Sequence, residues 1–534
     1  MCRIILHGNW EISCLVVARN GSRDPQWQST RSNPLTHEQE KSDGRIVPKK
    51  PANKDRAAAR SAERVEGRRP TKGNSLKETK DRAQNRATLQ QNLQRVRKAV
   101  VKDKERQLST LWHHVYNVDH LRATFFQMRK KAAPGVDGVT WQEYEENLES
   151  NLQDLSGRLA RGAYRAKPVR RTYIPKSDGR LRPLGIPTLE DKLVQGLTTK
   201  VLEQVYEPEF CGFSYGCRPG RSPHGALDAL SVGIAAKKVS WVLDADIRGF
   251  FDAIDHDCLM EFVEGRIGDK RVLRHIKKWL NAGVLEDGKK TKAQSGTPQG
   301  GSISPLLANI YMHYVLDLWV KEWRETTARG EVLIVRYVDD FVVCFQYRDD
   351  ADKFLAALKV RLANFHLELH PEKTRLLHFG RFASEDRQRR GKGKPETFDF
   401  LGFTHYCGKT RSGKFKVGRK TRRKTMVAKL ALLKVQIRKR MHAPVPVTGA
   451  WLGRVLQGHY QYYGVPGNSG SMAFYRDQVT RLWRQALRRR SQKAKMTWDR
   501  MNRYAVRWLP HPKIYHPYPS QRLGVITQGR SPVR

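Results

Sequence analysis

The sequence is short of cysteine, of long apolar runs and, towards its C-terminus, of acidic residues. Its 534 residues include seven cysteines, none of them spaced as a C-x-x-C pair or as a zinc finger. No run of 18 apolar residues occurs, which argues against a membrane-spanning helix. These shortages argue against a disulfide framework, a zinc module and an integral membrane protein. A reducing, cytosol-like compartment is expected instead.

Basic residues outnumber acidic ones by 100 to 53, and the excess is uneven along the chain. Residues 1–132 contain 29 basic and 13 acidic residues, 133–380 contain 35 and 34, and 381–534 contain 36 and 6. A solvated protein surface normally carries charge of both signs. The C-terminal third is therefore expected to bind a polyanion, with nucleic acid the first candidate.

The pattern of residue types predicts an α+β fold between two basic ends. Residues 1–75 are polar and poor in aromatics, which is typical of a disordered extension. Helical periodicity follows over 76–132, and short apolar, β-rich runs then alternate with helical stretches. A Gly-, Lys- and Arg-rich stretch over 391–420 is predicted to be a connector. Beyond it, apolar residues over 426–441 recur at helical spacing and predict a basic amphipathic helix.

Two adjacent aspartates lie in the segment Tyr337-Val338-Asp339-Asp340, between two apolar β-rich runs. This arrangement predicts the tip of a β-hairpin. Like charges that lie close together are costly to bury unless a cation compensates them, and Mg²⁺ is the cation that carboxylate oxygens favour. An exposed Asp-Asp turn explains the pair equally well when it is considered alone.

A second acidic strand lies upstream, where Asp244 and Asp246 follow an apolar run and share one strand face. If one of them met the hairpin pair, the carboxylates could hold two metal ions. One ion would activate a 3′ hydroxyl, and the other would stabilise the leaving pyrophosphate. Strand periodicity does not choose between Asp244 and Asp246.

At this point the chain resembles the reverse transcriptase/maturase encoded by group II introns. In that family an aspartate is followed five residues later by an aromatic residue, as with Asp246 and Phe251, and then by a Tyr-x-Asp-Asp hairpin. Further blocks of the family match in order, and a region similar to the maturase-specific domain follows them. The resemblance runs from about residue 76 to 523. The further blocks lie at 131–139, 182–187, 214–222, 296–305, 370–374 and 400–403, and the maturase-like region at 451–490.

The resemblance implies an α+β right-hand polymerase fold: fingers and a palm with an antiparallel sheet, then an α-helical thumb and a helical maturase domain. It divides the chain into six parts. They are a basic extension (1–75), a helical segment (76–132), fingers and palm (133–405), a thumb (406–445), a maturase-specific RNA-binding domain (446–523) and a tail (524–534).

The resemblance also implies roles for the residues of the catalytic centre. Asp246 and Asp339 would coordinate Mg²⁺, and Asp340 would support the metal site from further out. The backbone carbonyl of Ile247 would complete the metal shell. Lys373 would donate a proton to pyrophosphate, although an ordinary surface lysine fits the sequence nearly as well.

Nucleotide and RNA contacts are implied in the same way. Phe251 would lie beneath the incoming sugar and exclude a 2′ hydroxyl, and its alternative is a plain core phenylalanine. Lys176, Arg182, Gln299 and Tyr337 would contact the nucleotide or the template. The candidate RNA-binding residues of the basic C-terminal region are Lys434, Arg438, Arg488, Arg489 and Arg490. Among the C-terminal rings, Tyr460, Tyr462, Tyr463 and Trp483 could either stack on bases or fill a helical core.

The implied function is an RNA-directed DNA polymerase and intron maturase, acting as a ribonucleoprotein in a bacterial cytoplasm. Its expected partners are structured group II intron RNA, an RNA template with a DNA primer, dNTPs and a target DNA. It would assist splicing and copy the RNA into cDNA for retrohoming. The alternatives are a non-enzymatic RNA-binding splicing factor, or a retron, diversity-generating or CRISPR-associated reverse transcriptase. The intact aspartate pair argues against the first alternative, and the maturase-like region argues against the second.

Three features depart from the family pattern. Val338 replaces the more usual alanine, which leaves fidelity and speed open. Cys217 stands where phenylalanine is usual, which leaves the local packing of the fingers open. Residues typical of a His/Asn endonuclease do not occur, so cleavage of a second DNA strand is not predicted.

Overall fold

A computed structural model describes residues 74–175, 181–286, 289–291, 296, 300–410, 412–491 and 495–523. Almost all of the predicted N-terminal extension and the tail over 524–534 lie outside these residues, as do Lys176 and Gln299. The described part combines helices with three β-sheets, which confirms the α+β prediction. No helix within it is both long and apolar enough to cross a bilayer.

The elements fall into two halves. From residue 74 to 291 they are α1 (Asn74–Lys102), α2 (His113–Tyr116), α3 (Val118–Phe125), α4 (Trp141–Glu146), α5 (Leu148–Ala160), β1 (Val169–Pro175), β2 (Leu181–Ile186), α6 (Leu189–Tyr206), α7 (Pro223–Ala236), β3 (Trp241–Asp246), α8 (Phe250–Ala253), α9 (His256–Glu264), α10 (Lys270–Leu280), β4 (Val284–Glu286) and β5 (Lys289–Thr291). From residue 304 onwards they are α11 (Ser304–Met312), a π-helical turn (His313–Asp317), α12 (Leu318–Thr326), β6 (Val332–Tyr337), β7 (Asp340–Phe345), α13 (Arg348–Ala363), β8 (Arg375–His378), α14 (Ala383–Arg389), β9 (Phe398–Phe400), β10 (Phe403–Lys409), β11 (Phe415–Thr421), α15 (Arg423–Lys439), α16 (Val445–Tyr463), α17 (Ser469–Arg488), α18 (Trp498–Trp508) and α19 (Pro519–Arg522).

The N-terminal helices pack through spaced apolar residues. In α1, Leu89, Val96 and Val100 are buried, and α1 contacts α3 and α6. Their spacing of seven and four residues places them on one helix face, which explains why this face is buried. A first sheet follows, in the order β2-β1-β4-β5, and β1 pairs antiparallel with β2 and parallel with β4.

The central sheet has the order β6-β7-β3-β8 with all neighbours antiparallel. Side chains alternate between its two faces. The face that carries Asp244, Asp246 and Asp340 is covered over much of its area by α7 and by the C-terminal elements. On the opposite face, Phe345 contacts Trp323 of α12 and Phe354 of α13. The sheet is therefore sandwiched between two layers, with its aspartates at one end.

The predicted connector over 391–420 is wrong, because this stretch contributes three strands. β9, β10 and β11 form an antiparallel sheet in the order β11-β10-β9. Arg419 on β11 is buried, since Asp228 of α7 accepts a hydrogen bond from its Nη1 at 2.7 Å. A lysine- and glycine-rich strand can form here because a distant carboxylate compensates its one buried charge.

The C-terminal helices share a core with the central sheet. Tyr460, Tyr463 and Trp483 are 0 to 3% exposed and belong to this core. Tyr462 is partly buried, and its hydroxyl donates to the carbonyl oxygen of Leu401 at 2.8 Å. The structure therefore shows these rings packed in or against the core, rather than exposed for stacking on bases.

The end of the described chain packs on α7. Asp228 is buried and forms ion pairs with Arg419, at 2.7 Å, and with Arg522, at 2.6 Å. The His516 ring stacks on that of His224, with centroids 3.6 Å apart. Burial, together with nearby positive charge, lowers the pKa of His224 to about 3, so this stack is neutral at physiological pH.

We expect Asp228→Asn to lower the free energy of unfolding by about 3–5 kcal/mol, because it leaves Arg419 buried without its counter-charge. Urea denaturation followed by circular dichroism measures this loss. Asp352→Ala is a matched control, since Asp352 pairs with Arg348 on the exposed surface of α13. Its cost should stay below about 1 kcal/mol. Equal costs for the two variants would contradict the assignment of Asp228 as a buried junction.

Candidate active site

The two adjacent aspartates lie at a tight hairpin turn, as the sequence predicts. β6 and β7 pair from Val332↔Phe345 to Tyr337↔Asp340, which leaves Val338 and Asp339 as the two turn residues. Val338 has a φ of 62°, an uncommon conformation for a β-branched residue. A Cβ added at Gly216 would lie 2.5 Å from Cγ2 of Val338. Ser214 forms an isolated β-bridge with Arg336, and the segment that follows Ser214 packs directly on the turn. A side chain at position 216 would therefore displace the turn.

Carboxylates from two strands meet at this end of the central sheet. Asp246 lies directly opposite Asp340 in the β3–β7 register, and Asp244 lies two residues earlier on the same face. Burial and the neighbouring carboxylates Asp244, Asp339 and Asp246 raise the pKa of Asp340 well above its usual range. Burial also raises the pKa of Asp339, with Asp246 adding to the effect, and raises that of Asp244 to about 6. The site thus concentrates negative charge that favours a cation or a proton.

Positive side chains partly offset this charge. Lys373 Nζ lies 2.5 Å from Oδ2 of Asp246, and Nη2 of Arg375 lies 3.3 Å from Oδ2 of Asp244. Burial keeps the pKa of Asp339 raised, and the positive charge of Arg182, an exposed residue of β2, offsets part of that rise. The structure therefore brings Lys373 and Arg182 into the same site as the aspartates. Asp244 and Asp246 differ in partner, which is a distinction that the sequence left open.

The donor atoms at this site suit a hard cation, although no closed site is formed. Among the described residues, no three His, Cys, Asp or Glu side chains are grouped so as to hold a metal ion. The carboxylate oxygens are nevertheless the ligand type of Mg²⁺, and the like charges that raise their pKa values would be relieved by it. The carbonyl oxygen of Asp246 accepts from the backbone N–H of His370 on the β8 side.

A buried polar network supports the hairpin from the opposite face of the sheet. Arg336 is 0% exposed, and its Nη1 donates to the carbonyl oxygen of Val338 at 2.8 Å. Its Nη2 and Nε pair with both oxygens of Asp317, at 2.5 and 2.6 Å. Asn309 accepts from Arg336 at 3.0 Å and donates to the carbonyl oxygen of Gly216 at 2.7 Å. One network therefore holds both the turn and the segment that packs on it.

The sequence interpretation missed Arg336, Asp317 and Asn309. The signal was a charged residue that continues the apolar run 332–335 inside a strand, where a buried charge requires a partner. Asp317 lies at the end of the π-helical turn, a local irregularity that the sequence does not reveal. A buried arginine requires a carboxylate partner, but the spacing of residues in the sequence does not reveal that this partner is Asp317.

The two phenylalanines after β3 have different environments. Phe250 is 2% exposed and belongs to the core, whereas Phe251 is partly exposed. This difference fits Phe251, rather than Phe250, as the residue open to a ligand. Gln299 and Lys176 lie outside the described residues, but Gly300, which follows Gln299 in the chain, packs on the first sheet. A Cβ added at Gly300 would lie 2.5 Å from the carbonyl oxygen of Gly185.

The predicted RNA-binding residues divide into exposed and tethered ones. Arg488 and Arg489 are exposed at the end of α17, and Lys434 and Arg438 are exposed on α15. Arg490 is partly buried, and its Nη2 donates to the carbonyl oxygen of Ala443 at 2.6 Å. Four of the five side chains are therefore free to approach a ligand, and Arg490 also ties two C-terminal segments together. Tyr337 is partly buried beside the aspartates, and burial raises its pKa.

Comparison with known proteins shows which families the chain is similar to. Residues 174–405 match the family described as "Reverse transcriptase (RNA-dependent DNA polymerase)". The chain is 38% identical to protein YkfC of Escherichia coli over 240 residues, which cover 39% of this chain and 62% of that protein, less than two thirds of its length. It is 28% identical to the group II intron-encoded protein LtrA of Lactococcus lactis over 467 residues, covering 72% of this chain and 75% of that protein.

A third relative is the nuclear intron maturase 1 of Arabidopsis thaliana, which is 29% identical over 94 residues. This match covers 18% of the chain and 13% of the plant protein. Together these similarities confirm the resemblance to group II intron-encoded reverse transcriptases and maturases.

We expect Arg336→Leu to cost about 3–5 kcal/mol of unfolding free energy, because Asp317 is then buried without its partner. His313 cannot replace it, since burial lowers the pKa of His313 to about 4. In Arg336→Leu/Asp317→Leu most of the stability should return, as both charges are gone. Chemical denaturation of the three proteins measures both steps. A double variant no more stable than Arg336→Leu would contradict a paired role for Asp317.

Proposed function

The chain is related to group II intron-encoded reverse transcriptases and maturases by its reverse transcriptase domain and over most of its length, and we propose that it both copies RNA into DNA and assists intron splicing. The observation that carries the first activity is the meeting of Asp246 with the hairpin aspartates Asp339 and Asp340. The match of residues 174–405 to the reverse transcriptase family and the register that sets Asp246 opposite Asp340 support this proposal.

In this proposal, Asp246 and Asp339 hold Mg²⁺, with Asp340 and the carbonyl oxygen of Ile247 supporting the site. The bound ions would activate a primer 3′ hydroxyl and stabilise the leaving pyrophosphate. Lys373 is paired with Asp246. When a phosphate oxygen lies beside it, Lys373 can donate a hydrogen bond or a proton to that oxygen instead. Arg182 approaches from β2, where its charge would meet the triphosphate. Arg336 and Asp317 keep the turn in place while these charges change.

We assign the substrate-facing roles to the residues around this centre. Phe251 would lie beneath the sugar, and Tyr337 would flank the nucleotide. Gln299 and Lys176 would contact the nucleotide or the template, as the resemblance implies. On this basis, the first and central sheets correspond to fingers and palm, and α15 to a thumb that precedes a maturase domain.

The second activity rests on the cations of the C-terminal region. Tyr460, Tyr463 and Trp483 are in the core, so these three rings are not available to stack on bases, and the proposal rests on the exposed cations. Lys434, Arg438, Arg488 and Arg489 would bind phosphates of structured group II intron RNA. The protein would then act as a cytoplasmic ribonucleoprotein that receives dNTPs and a DNA primer, and that carries its RNA to a target DNA for retrohoming.

We expect Asp246→Ala and Asp339→Ala to lower primer extension on an RNA template by at least about a hundredfold, because each removes a charge-stabilising group from the reacting centre. Extension with dNTPs and Mg²⁺ measures this effect. Asp244→Asn is the matched control on the same strand, and it should retain most activity since its partner is Arg375. Equal extension by Asp339→Ala and the unchanged protein would refute the polymerase assignment.

The same variants separate the two activities. Splicing of an intron RNA at low Mg²⁺ should be accelerated by the protein and by Asp339→Ala alike, because this aspartate contributes to polymerisation and not to the C-terminal cations. If the unchanged protein accelerates splicing but extends no primer, the protein is a non-enzymatic splicing factor. If it extends a primer and leaves splicing unchanged, a reverse transcriptase of another lineage is indicated.

Phe251→Val should raise the incorporation of ribonucleotides relative to deoxyribonucleotides by about tenfold or more, because a smaller side chain leaves room for the 2′ hydroxyl. Differences of this size are typical of discrimination by shape in an apolar pocket. Single-nucleotide extension with dNTP and with rNTP measures the ratio. Phe474→Val, at an aromatic residue exposed on α17, is the control and should leave it unchanged. An unchanged ratio in Phe251→Val would refute the role of Phe251 in excluding the 2′ hydroxyl.

A further inference from the structure

Helix α10 is fixed by one face and presents the other to solvent. Its apolar residues Val272, Ile276 and Trp279 are buried. Asp269 caps the helix and also accepts from the backbone N–H groups of Leu111 and Trp112, at 2.8 Å each. A helix held in this way presents its remaining side chains from a rigid support.

The solvent side of α10 is a dense group of cations, which we call the α10 basic face. Lys270, Arg271, Arg274 and Lys277 are exposed, and Lys278 is partly exposed with its Nζ bonded to the carbonyl oxygen of Tyr164. Burial and the positive charges of Arg274 and Arg165 lower the pKa of Lys278. Within the described residues, neither Lys270 nor Arg274 forms an ion pair.

The acidic side chains that balance this group lie on the neighbouring helix. α9 carries Asp257, Glu261 and Glu264. Burial raises the pKa of Glu261, and the like charges of Asp257 and Glu264 add to this rise. One weak link joins the two helices, where Lys277 Nζ lies 3.9 Å from Glu264. Opposite charges are therefore separated onto these two neighbouring helices, within a stretch that is nearly neutral on average. Surfaces that are merely solvated mix the signs instead.

The basic face lines an open groove of about 460 Å³ and contains no exposed ring. Four of the side chains lining the groove are cations, namely Lys270, Arg274, Lys277 and Lys278. The aromatic residues of α10, His275 and Trp279, are buried on its other side. Unpaired bases are bound largely by stacking on exposed rings, whereas a helical nucleic acid offers only its phosphates and groove edges. The chemistry of the face thus suits a paired backbone.

We propose that the α10 basic face binds the phosphate backbone of a double-helical segment of structured RNA. This surface lies outside the catalytic site and outside the C-terminal cations. The choice of RNA as the polyanion rests on the proposed function. A second anchor would orient a folded RNA relative to the polymerase centre.

The test compares two charge-reversed proteins in binding to a labelled 20-base-pair RNA duplex. Lys270→Glu/Arg274→Glu removes two cations from the face. Lys353→Glu/Lys359→Glu reverses two exposed lysines of α13, where Asp349 and Asp352 already mix the signs. The change in net charge is the same in both. Fluorescence anisotropy over a range of salt concentrations gives the affinity and its salt dependence.

We expect the α10 variant to bind the duplex at least about tenfold more weakly. Its plot of log affinity against log salt should also be less steep, by about 0.9 for each lost phosphate contact. The α13 variant should lie within about twofold of the unchanged protein. Equal losses in both variants, or a loss seen only with an unstructured single-stranded RNA, would overturn the proposal. If charge reversal lowers the melting temperature, Lys270→Gln/Arg274→Gln replaces it.

Primer extension on a short unstructured RNA template separates this proposal from the polymerase assignment. The α10 variant should extend as the unchanged protein does, because its substitutions lie away from the aspartates. Failure of the unchanged protein to extend a primer would refute the polymerase and leave the duplex-binding result standing. Normal extension combined with unaltered duplex binding would refute the α10 surface alone.

Discussion

The concentration of carboxylates at one end of a small sheet is the constraint on which the rest of the structure depends. An ionised carboxylate that leaves water costs several kcal/mol unless something compensates it. Here the compensation comes from both faces of the sheet. Lys373 and Arg375 approach the acidic face, while Arg336 secures the turn from behind and has Asp317 to balance its own charge. A cation bound at the acidic end would compensate the negative charge that these side chains neutralise only in part.

The hairpin and the strand of the candidate site could be predicted because their signals are local. An apolar run on each side of Asp339 and Asp340 predicts a hairpin, and an apolar run before Asp246 predicts the neighbouring strand. Strand periodicity could not choose between Asp246 and Asp244, since both lie on one strand face; the family resemblance chose Asp246, and the register sets that residue opposite Asp340. The two residues differ in what lies opposite them: Asp340 for Asp246, Val342 and Arg375 for Asp244.

Other features escaped because their causes lie far away in the chain. The stretch over 391–420 reads as a connector, yet it forms strands whose buried Arg419 depends on Asp228, 191 residues earlier. The tyrosine rings at 460, 462 and 463 could have stacked on bases, but they pack in or against the core. The even charge of the middle third concealed α10, since a sum over residues cannot show that α9 and α10 divide the signs. Each of these outcomes depends on tertiary neighbours rather than on composition.

The pairing of Asp228 with Arg522 has a consequence for the order in which the protein is made. Helix α7 lies under the central sheet, but its carboxylate waits for a partner that is synthesised roughly 290 residues later, or about 15–60 s at ordinary rates of translation. Arg419, synthesised 191 residues after Asp228, can pair with it earlier, but the second ion pair and the packing of His516 on His224 must wait for the end of the described chain. On the ribosome, the surroundings of α7 can therefore reach their final form only when the C-terminal region is nearly complete.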